Sequence, residues 1–168
     1  MKKKIAAILT AAAMCAALSG CGGNTPSAPE QSTADSAVSN LEISGGLDSK
    51  TDALKEAVTL PKGMVDVKAD TLKDRFGIEE ADVAELSAYV CGSGAMPDEF
   101  GVFRAKDADA AKRVADALNK RIEQQRKTFK DYTPNEMYKF DDCFVETHGN
   151  VVIYAVCADN SKAKELLK

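Results

Sequence analysis

Apolar side chains are most regularly spaced between Asp107 and Asp131. Ala111, Ala115, Leu118, Ile122 and Phe129 recur at steps of three and four, with Val114 beside them. That period places them on one face of an amphipathic helix, roughly 37 Å long at a rise of 1.5 Å per residue. Asp107 is the expected N-cap and Asp109 suits the positive helix start. Arg126, Lys127 and Lys130 suit the negative end. Lys112, Lys120, Arg121 and Arg126 fall off the stripe and are expected on a solvated polar face. A basic strip touching anionic lipid headgroups or wall polymers is the alternative.

Period two takes over on either side of this helix. Val83–Cys91 and Glu99–Ala105 read as strands, and their close succession predicts an antiparallel hairpin. "CFVETHGNVVIYAVCA" reads as a second hairpin around Gly149-Asn150. Before the first hairpin, Ser49 is the expected cap of a helix reaching about Val58, which Leu60-Pro61-Lys62-Gly63 breaks. Asp70 is the expected cap of a short helix ended by Gly77 in the left-handed conformation. Between the hairpins, Thr133, Pro134 and Glu136 have the spacing of a capping box with a proline start. "NSKAKELLK" predicts a last helix capped by Asn160 or Ser161. The order is α-α-β-β-α-α-β-β-α. It predicts an α+β two-layer sandwich: a four-stranded antiparallel sheet made of two hairpins, the long helix across one face and the terminal helices alongside it.

The first residues follow another logic. Lys2, Lys3 and Lys4 precede the uncharged, mostly apolar run Ile5–Leu18, which is too short for a span of about 20 residues and fits a secretory leader. Leu18-Ser19-Gly20-Cys21 resembles the lipobox of bacterial lipoproteins. The resemblance implies cleavage before Cys21 and a lipid anchor on that cysteine, which gives stable attachment without a spanning helix. Gly22 to about Asn40 is rich in Ser, Thr, Ala, Pro, Gly and Gln and lacks the large apolar residues of a core. The expected organisation is a signal peptide over 1–20, a lipidated cysteine and flexible tether over 21–47, and a single α+β domain over 48–168. The expected location is the cell membrane, lipid-anchored and facing outside the cytoplasm.

Losing Lys2, Lys3 and Lys4 leaves 19 of the 22 Lys+Arg against 26 Asp+Glu, a net charge of −7. An acidic domain does not present the basic face of a nucleic-acid binder. Cys91, Cys143 and Cys157 are an odd set, so at least one thiol stays unpaired. A Cys143–Cys157 bridge is open, since both lie on the last hairpin. With a lone histidine, His148, and no CxxC spacing, neither a metal site nor a cofactor is expected.

The connection "GSGAMPDE" inside the first hairpin is longer than a tight turn requires. Gly92 and Gly94 free its backbone, Met96 places an adaptable apolar side chain where turns favour polar ones, and Asp98 adds charge. Gly92, Ser93, Gly94, Met96 and Asp98 are therefore a candidate recognition loop, expected to be exposed. Its alternative is plain architecture, with Met96 folded back over the sheet edge.

Together, "YVCGSGAMPDEFGVFRAKD", "KRIEQQ", "YTPNEMYKF" and "GNVVIYAV" resemble DUF4358, a family of small bacterial, clostridial-type lipoproteins of unknown function. The resemblance covers about Leu54 to Leu167. It implies a lipoprotein with one compact domain and brings no catalytic residues.

Three functions fit this sequence. The preferred one is a membrane-anchored, non-enzymatic binding or interaction domain, with an envelope protein or wall polymer as candidate partner. A small envelope hydrolase would draw on Asp98, Glu99, Asp141, Asp142, Glu146 or His148. Adjacent carboxylates on a strand point to opposite faces, however, and make poor dyads. The third is an accessory subunit of a membrane transporter. No catalytic residue is assigned.

Overall fold

The computed structural model describes residues 46–168. The leader, Cys21 and most of the proposed tether lie outside the described residues. Helix α1 (Leu47–Ala57) opens the domain, followed by strand β1 (Met64–Asp66), a 3-10 turn at Ala69–Thr71 and the short helix α2 (Leu72–Phe76). A further 3-10 turn, Glu80–Asp82, leads into β2 (Val83–Cys91) and β3 (Glu99–Ala105). Helix α3 (Ala108–Tyr132) returns along the sheet. A 3-10 segment, Pro134–Phe140, then introduces β4 (Phe144–His148), β5 (Val151–Val156) and α4 (Asn160–Leu167).

All strand pairs are antiparallel, in the order β1-β2-β3-β5-β4. The two expected hairpins are present and join through β3 and β5, where Glu99 lies opposite Val156 and Arg104 opposite Val151. The expected four strands become five. β1 has three residues at the sheet edge, too few and too exposed to display an alternation.

The α+β class and the long helix across one face are as expected. The other helices divide. α2 and α3 pack on the face carrying Ala88, Val90, Phe103, Val152 and Tyr154. α1 and α4 cover the opposite face, against Phe100, Val102, Ile153 and Ala155. The sheet thus lies between two helical layers rather than under one. Every residue of β5 is buried, and a strand buried on both faces must be covered on both.

α3 carries its expected stripe inward: Ala111, Val114, Leu118, Ile122 and Phe129 are buried and Ala115 is half-buried. The Asp107 carboxylate accepts from the Ala110 N–H at 2.7 Å and caps the helix. Gly77 ends α2 at φ 70°.

The other caps differ from expectation. α1 begins at Leu47, and the Ser49 hydroxyl donates back to the Gly46 carbonyl instead of capping. Asp70 lies inside a 3-10 turn that its side chain does not cap. α4 is capped by Asp159, which accepts from the Lys162 N–H. Asn160 is buried and joins the Cys157 N–H to the Lys139 carbonyl. The Thr133–Glu136 capping box does not form. The Thr133 carbonyl takes the Glu136 N–H at 2.9 Å, closing a 3-10 turn, and the Thr133 hydroxyl has no hydrogen-bond partner among the described residues. The Glu136 carboxylate is drawn forward to Lys139 at 2.6 Å.

Among the described residues Cys91, Cys143 and Cys157 form no disulfide, so the open Cys143–Cys157 bridge is not made. Phe144 pairs with Ala155, so in continued register Cys143 falls opposite Val156, and Cys157, one residue on, points to the other face. Burial pushes the Cys157 thiol up to about 11.

Candidate functional site

The β2–β3 connection is anchored at its base and open at its tip. The Cys91 N–H donates to the Asp98 carbonyl at 2.8 Å, closing the hairpin. Gly92 donates to the Gly63 carbonyl at 3.1 Å, and a Cβ there would come within 2.7 Å of the Val65 side chain, so only glycine lets β1 lie so close. Gly94 adopts φ 65°. Gly92 to Met96 are exposed, Met96 at 40%.

Exposure ends at Pro97. Asp98 and Glu99 were expected at the exposed end of the loop and are each 1% exposed. Both enter the interior because long cations from other elements reach them. The Asp98 carboxylate accepts from the Lys139 ammonium at 2.6 Å, and Lys139 also pairs with Glu136. Burial raises the Asp98 carboxyl above its ordinary range against the pull of Lys139. Burial likewise works against the charge of Lys139, but its two carboxylate partners outweigh it and the ammonium titrates higher than usual.

Glu99 points to the α3 side. Arg121 donates to it from Nε at 2.8 Å and from Nη2 at 2.7 Å, and Gln125 donates at 3.1 Å. Arg121 also donates to the Arg75 carbonyl and lies over the Phe76 ring, 4.6 Å from its centre. Burial drives the Glu99 carboxyl upward against Arg121 and Gln125, while pairing with Glu99 more than offsets the burial of Arg121 and holds that cation charged. The partners pull in opposite senses on the proton; the fork of hydrogen bonds fits a charged pair whose carboxylate is costly to keep ionised. Nearby, the Tyr154 hydroxyl is buried with no hydrogen-bond partner among the described residues, and burial raises its pKa.

A pocket of about 260 Å³ opens between the loop and α3. Asp98, Glu99, Arg121 and Gln125 line it, with Arg75 completing the polar wall. Val90, Met96 and Phe129 supply apolar surface. A second hollow of about 290 Å³ adjoins it across Arg75 and Arg121 and carries Lys73 and Lys120. Larger depressions lie near Asp48, Asp52 and Asp66 and near Glu80, Glu85 and Lys106. Their charged residues are mostly exposed, so water screens them, and neither holds a buried ion pair.

A model of the family described as "Domain of unknown function (DUF4358)" matches residues 56–157. This chain belongs to the DUF4358 family. No curated protein and no solved structure shows significant similarity to it. The matched DUF4358 span contains every residue named in the pocket, and Lys139 and Glu136 as well.

The other sequence candidates lie apart. Asp141 and Asp142 are exposed in the turn before β4. Glu146 and His148 share one face of edge strand β4, Oε2 and Nε2 3.4 Å apart. Glu146 also meets Lys164, whose hydrogen bond holds its carboxyl below the ordinary range. No group of three or more metal-ligating side chains occurs among the described residues.

Arg121, Gln125, Arg75 and Lys139 were not anticipated at a site, and Arg121 and Arg126 were expected on a solvated face. Arg126 instead donates to the Phe140 carbonyl at 2.5 Å. One trace was readable. The α3 stripe runs through Leu118 and Ile122 and resumes at Phe129, so Gln125 stands where a core side chain is due.

Proposed function

We propose that this DUF4358 chain is an extracytoplasmic lipoprotein, anchored to the membrane through Cys21, whose domain is a non-enzymatic binding module. Its ligand enters the pocket beside the Gly92–Met96 loop. The observation that carries the binding reading is the buried Glu99–Arg121–Gln125 network beneath that loop, flanked by Asp98 and Lys139. Buried charges that gather polar groups around a small concavity are how ligand sites fix orientation. Each carboxylate is held by a cation from another element, which suits positioning a bound group more than moving protons. The anchor rests on Leu18-Ser19-Gly20-Cys21 behind a basic, then apolar, leader.

The address and the site are tested separately. Cells expressing the full chain and growing on an azide-tagged fatty acid should label it, and Cys21→Ala should abolish the label. Label retained by the variant removes the anchor from the proposal. For the site, the low-molecular-weight fraction of the cell envelope should raise the melting temperature of the protein. Met96→Ser should lose that rise while melting normally without ligand. An equal rise in both places the ligand elsewhere.

A further inference from the structure

Lys139 is the one buried lysine among the described residues, and its ammonium is shut in with two carboxylates. Asp98 Oδ2 and Glu136 Oε2 each lie 2.6 Å from Nζ. The Asp98 side chain is 0% exposed, Lys139 7% and Glu136 22%. Both ends of the Asp98–Lys139 contact are pinned through the backbone. The Asp98 carbonyl accepts from the Cys91 N–H at 2.8 Å, and the Lys139 carbonyl accepts from Asn160 Nδ2 at 2.8 Å. The Asp98 carboxylate takes no other side-chain hydrogen bond, and its Oδ1 is buried without a partner among the described residues. Glu136 Oε2 is buried too and has no partner besides Lys139.

An amine and a carboxyl held this way are placed to condense. A carboxyl oxygen in hydrogen-bond contact brings its carbon to roughly the 3–3.5 Å of a near-attack pair. Burial raises the Asp98 carboxyl, toward the acid form whose hydroxyl can leave. Lys139 titrates high because of its two carboxylates, and those same carboxylates are the acceptors its proton needs. Condensation replaces an ion pair that is expensive away from water by a neutral amide. Fixed partners also supply an effective concentration that free groups in water lack.

We infer that Lys139 and Asp98 become joined by an intramolecular amide bond, formed by the folded chain itself with Glu136 as proton carrier. Lys139 passes one proton to Asp98, which leaves an amine beside a carboxylic acid. Nζ attacks Cγ and the N–Cγ bond forms. Glu136 takes a proton from that nitrogen and hands it to the departing hydroxyl; the Cγ–O bond breaks and one water leaves. Two carboxylates and one ammonium become one carboxylate and a neutral amide, so the net charge is unchanged and nothing is oxidised or reduced. The step occurs once per chain and needs no ligand. It ties the start of β3 to the 3-10 segment, 41 residues on, and restricts the unfolded chain as any such crosslink does.

Trypsin reads the bond directly. An unlinked chain gives peptides 76–104 and 131–139. Cleavage after Lys139 requires its free ammonium, so a linked chain gives one branched product, 76–104 joined to 131–162, lighter by one water than the sum of its parts. The purified full chain, folded and then denatured and digested, is expected to yield the branched product. Glu136→Gln should melt cooperatively and, followed in time after synthesis, form it roughly 100-fold more slowly, the low end of what a positioned proton carrier contributes. Lys139→Arg keeps a cation for both carboxylates and should give linear peptides only. If that variant does not fold, the wild-type digest and Glu136→Gln carry the test. A folded wild type that yields only linear 76–104 and 131–139 overturns the proposal. A branched product formed as fast in Glu136→Gln as in wild type refutes the role of Glu136.

Discussion

Helix α3 makes two arginine–carboxylate pairs, two turns apart, and they have opposite characters. Near its start Arg113 grips Asp82 with two hydrogen bonds, at 2.7 and 3.0 Å, with its own side chain 57% exposed. At its middle Arg121 reaches Glu99 at similar distances, 2.8 and 2.7 Å, with Nε and Nη2 both on Oε2, but Glu99 is 1% exposed and Arg121 22%. The carboxyls respond in opposite directions. Hydrogen bonding from Arg113 lowers Asp82, whereas burial raises Glu99 in spite of Arg121. The same chemical pair is thus a surface clasp in one place and an expensive interior feature in the other. Desolvation decides which, because water removed from a charge is repaid only in part by one partner. The costly pair beside the pocket is the feature on which the proposed binding role rests, whereas a surface clasp can be removed with little consequence.

The largest effect should come from breaking the buried pair on one side only. Arg121→Ala strands the Glu99 carboxylate and should destabilise the domain by about 3 kcal/mol, read as a lower urea midpoint with an unchanged slope. Replacing both partners, Glu99→Met with Arg121→Leu, should recover most of that loss, since no charge is left uncompensated. A double variant as unstable as the single one would mean that the pair itself, and not the stranded charge, holds the structure.

A smaller effect should appear as opposite pH dependences. The Glu99 carboxyl titrates above its ordinary range when folded, so the stability tied to its proton is full below that range and is lost as pH rises through the raised value. Asp82 titrates below its ordinary range. Its contribution is present above that range and is lost as pH falls through the lowered value. Urea melts between pH 3 and about 7 on wild type, Glu99→Gln and Asp82→Asn should show the wild-type advantage shrinking with rising pH for the first variant and growing for the second. Parallel trends would refute the contrast. The smallest effect should be Arg113→Ala, whose melting temperature should stay close to wild type, as for most exposed ion pairs.

What the sequence disclosed follows the same division between regular and solitary features. Period and punctuation placed α3, the two hairpins, the Asp107 cap and the Gly77 stop, because each is a local preference repeated or reinforced by its neighbours. The second helical layer was announced less openly. Val151–Cys157 is apolar without interruption, which signals a strand covered on both faces, yet it was read as an alternating strand of a one-sided sheet. β1 was beyond reach because three edge residues hold no pattern. Asp98 and Glu99 were noticed and misplaced. Nothing local to a carboxylate says that Lys139, far along the chain, will come to meet it, or that Arg121 will turn inward rather than out. Gln125, interrupting an apolar stripe, was the nearest thing to a notice.

The order of strands in the sheet bears on how the molecule assembles. β2–β3 and β4–β5 are local ribbons, but they join only through β3 and β5, and all of α3, the 3-10 segment and β4 lie between those two strands. Closing so long a loop costs entropy before any contact repays it. A preformed α3 shortens the distance to be searched. Asp98 and Glu99 sit at the β3 end of that late seam, and Lys139 arrives only with the segment that the seam brings in. A nascent chain therefore lacks the Asp98–Lys139 pair until most of the domain has been synthesised. The buried clasp between the start of β3 and the 3-10 segment is among the last contacts of the domain to come into being.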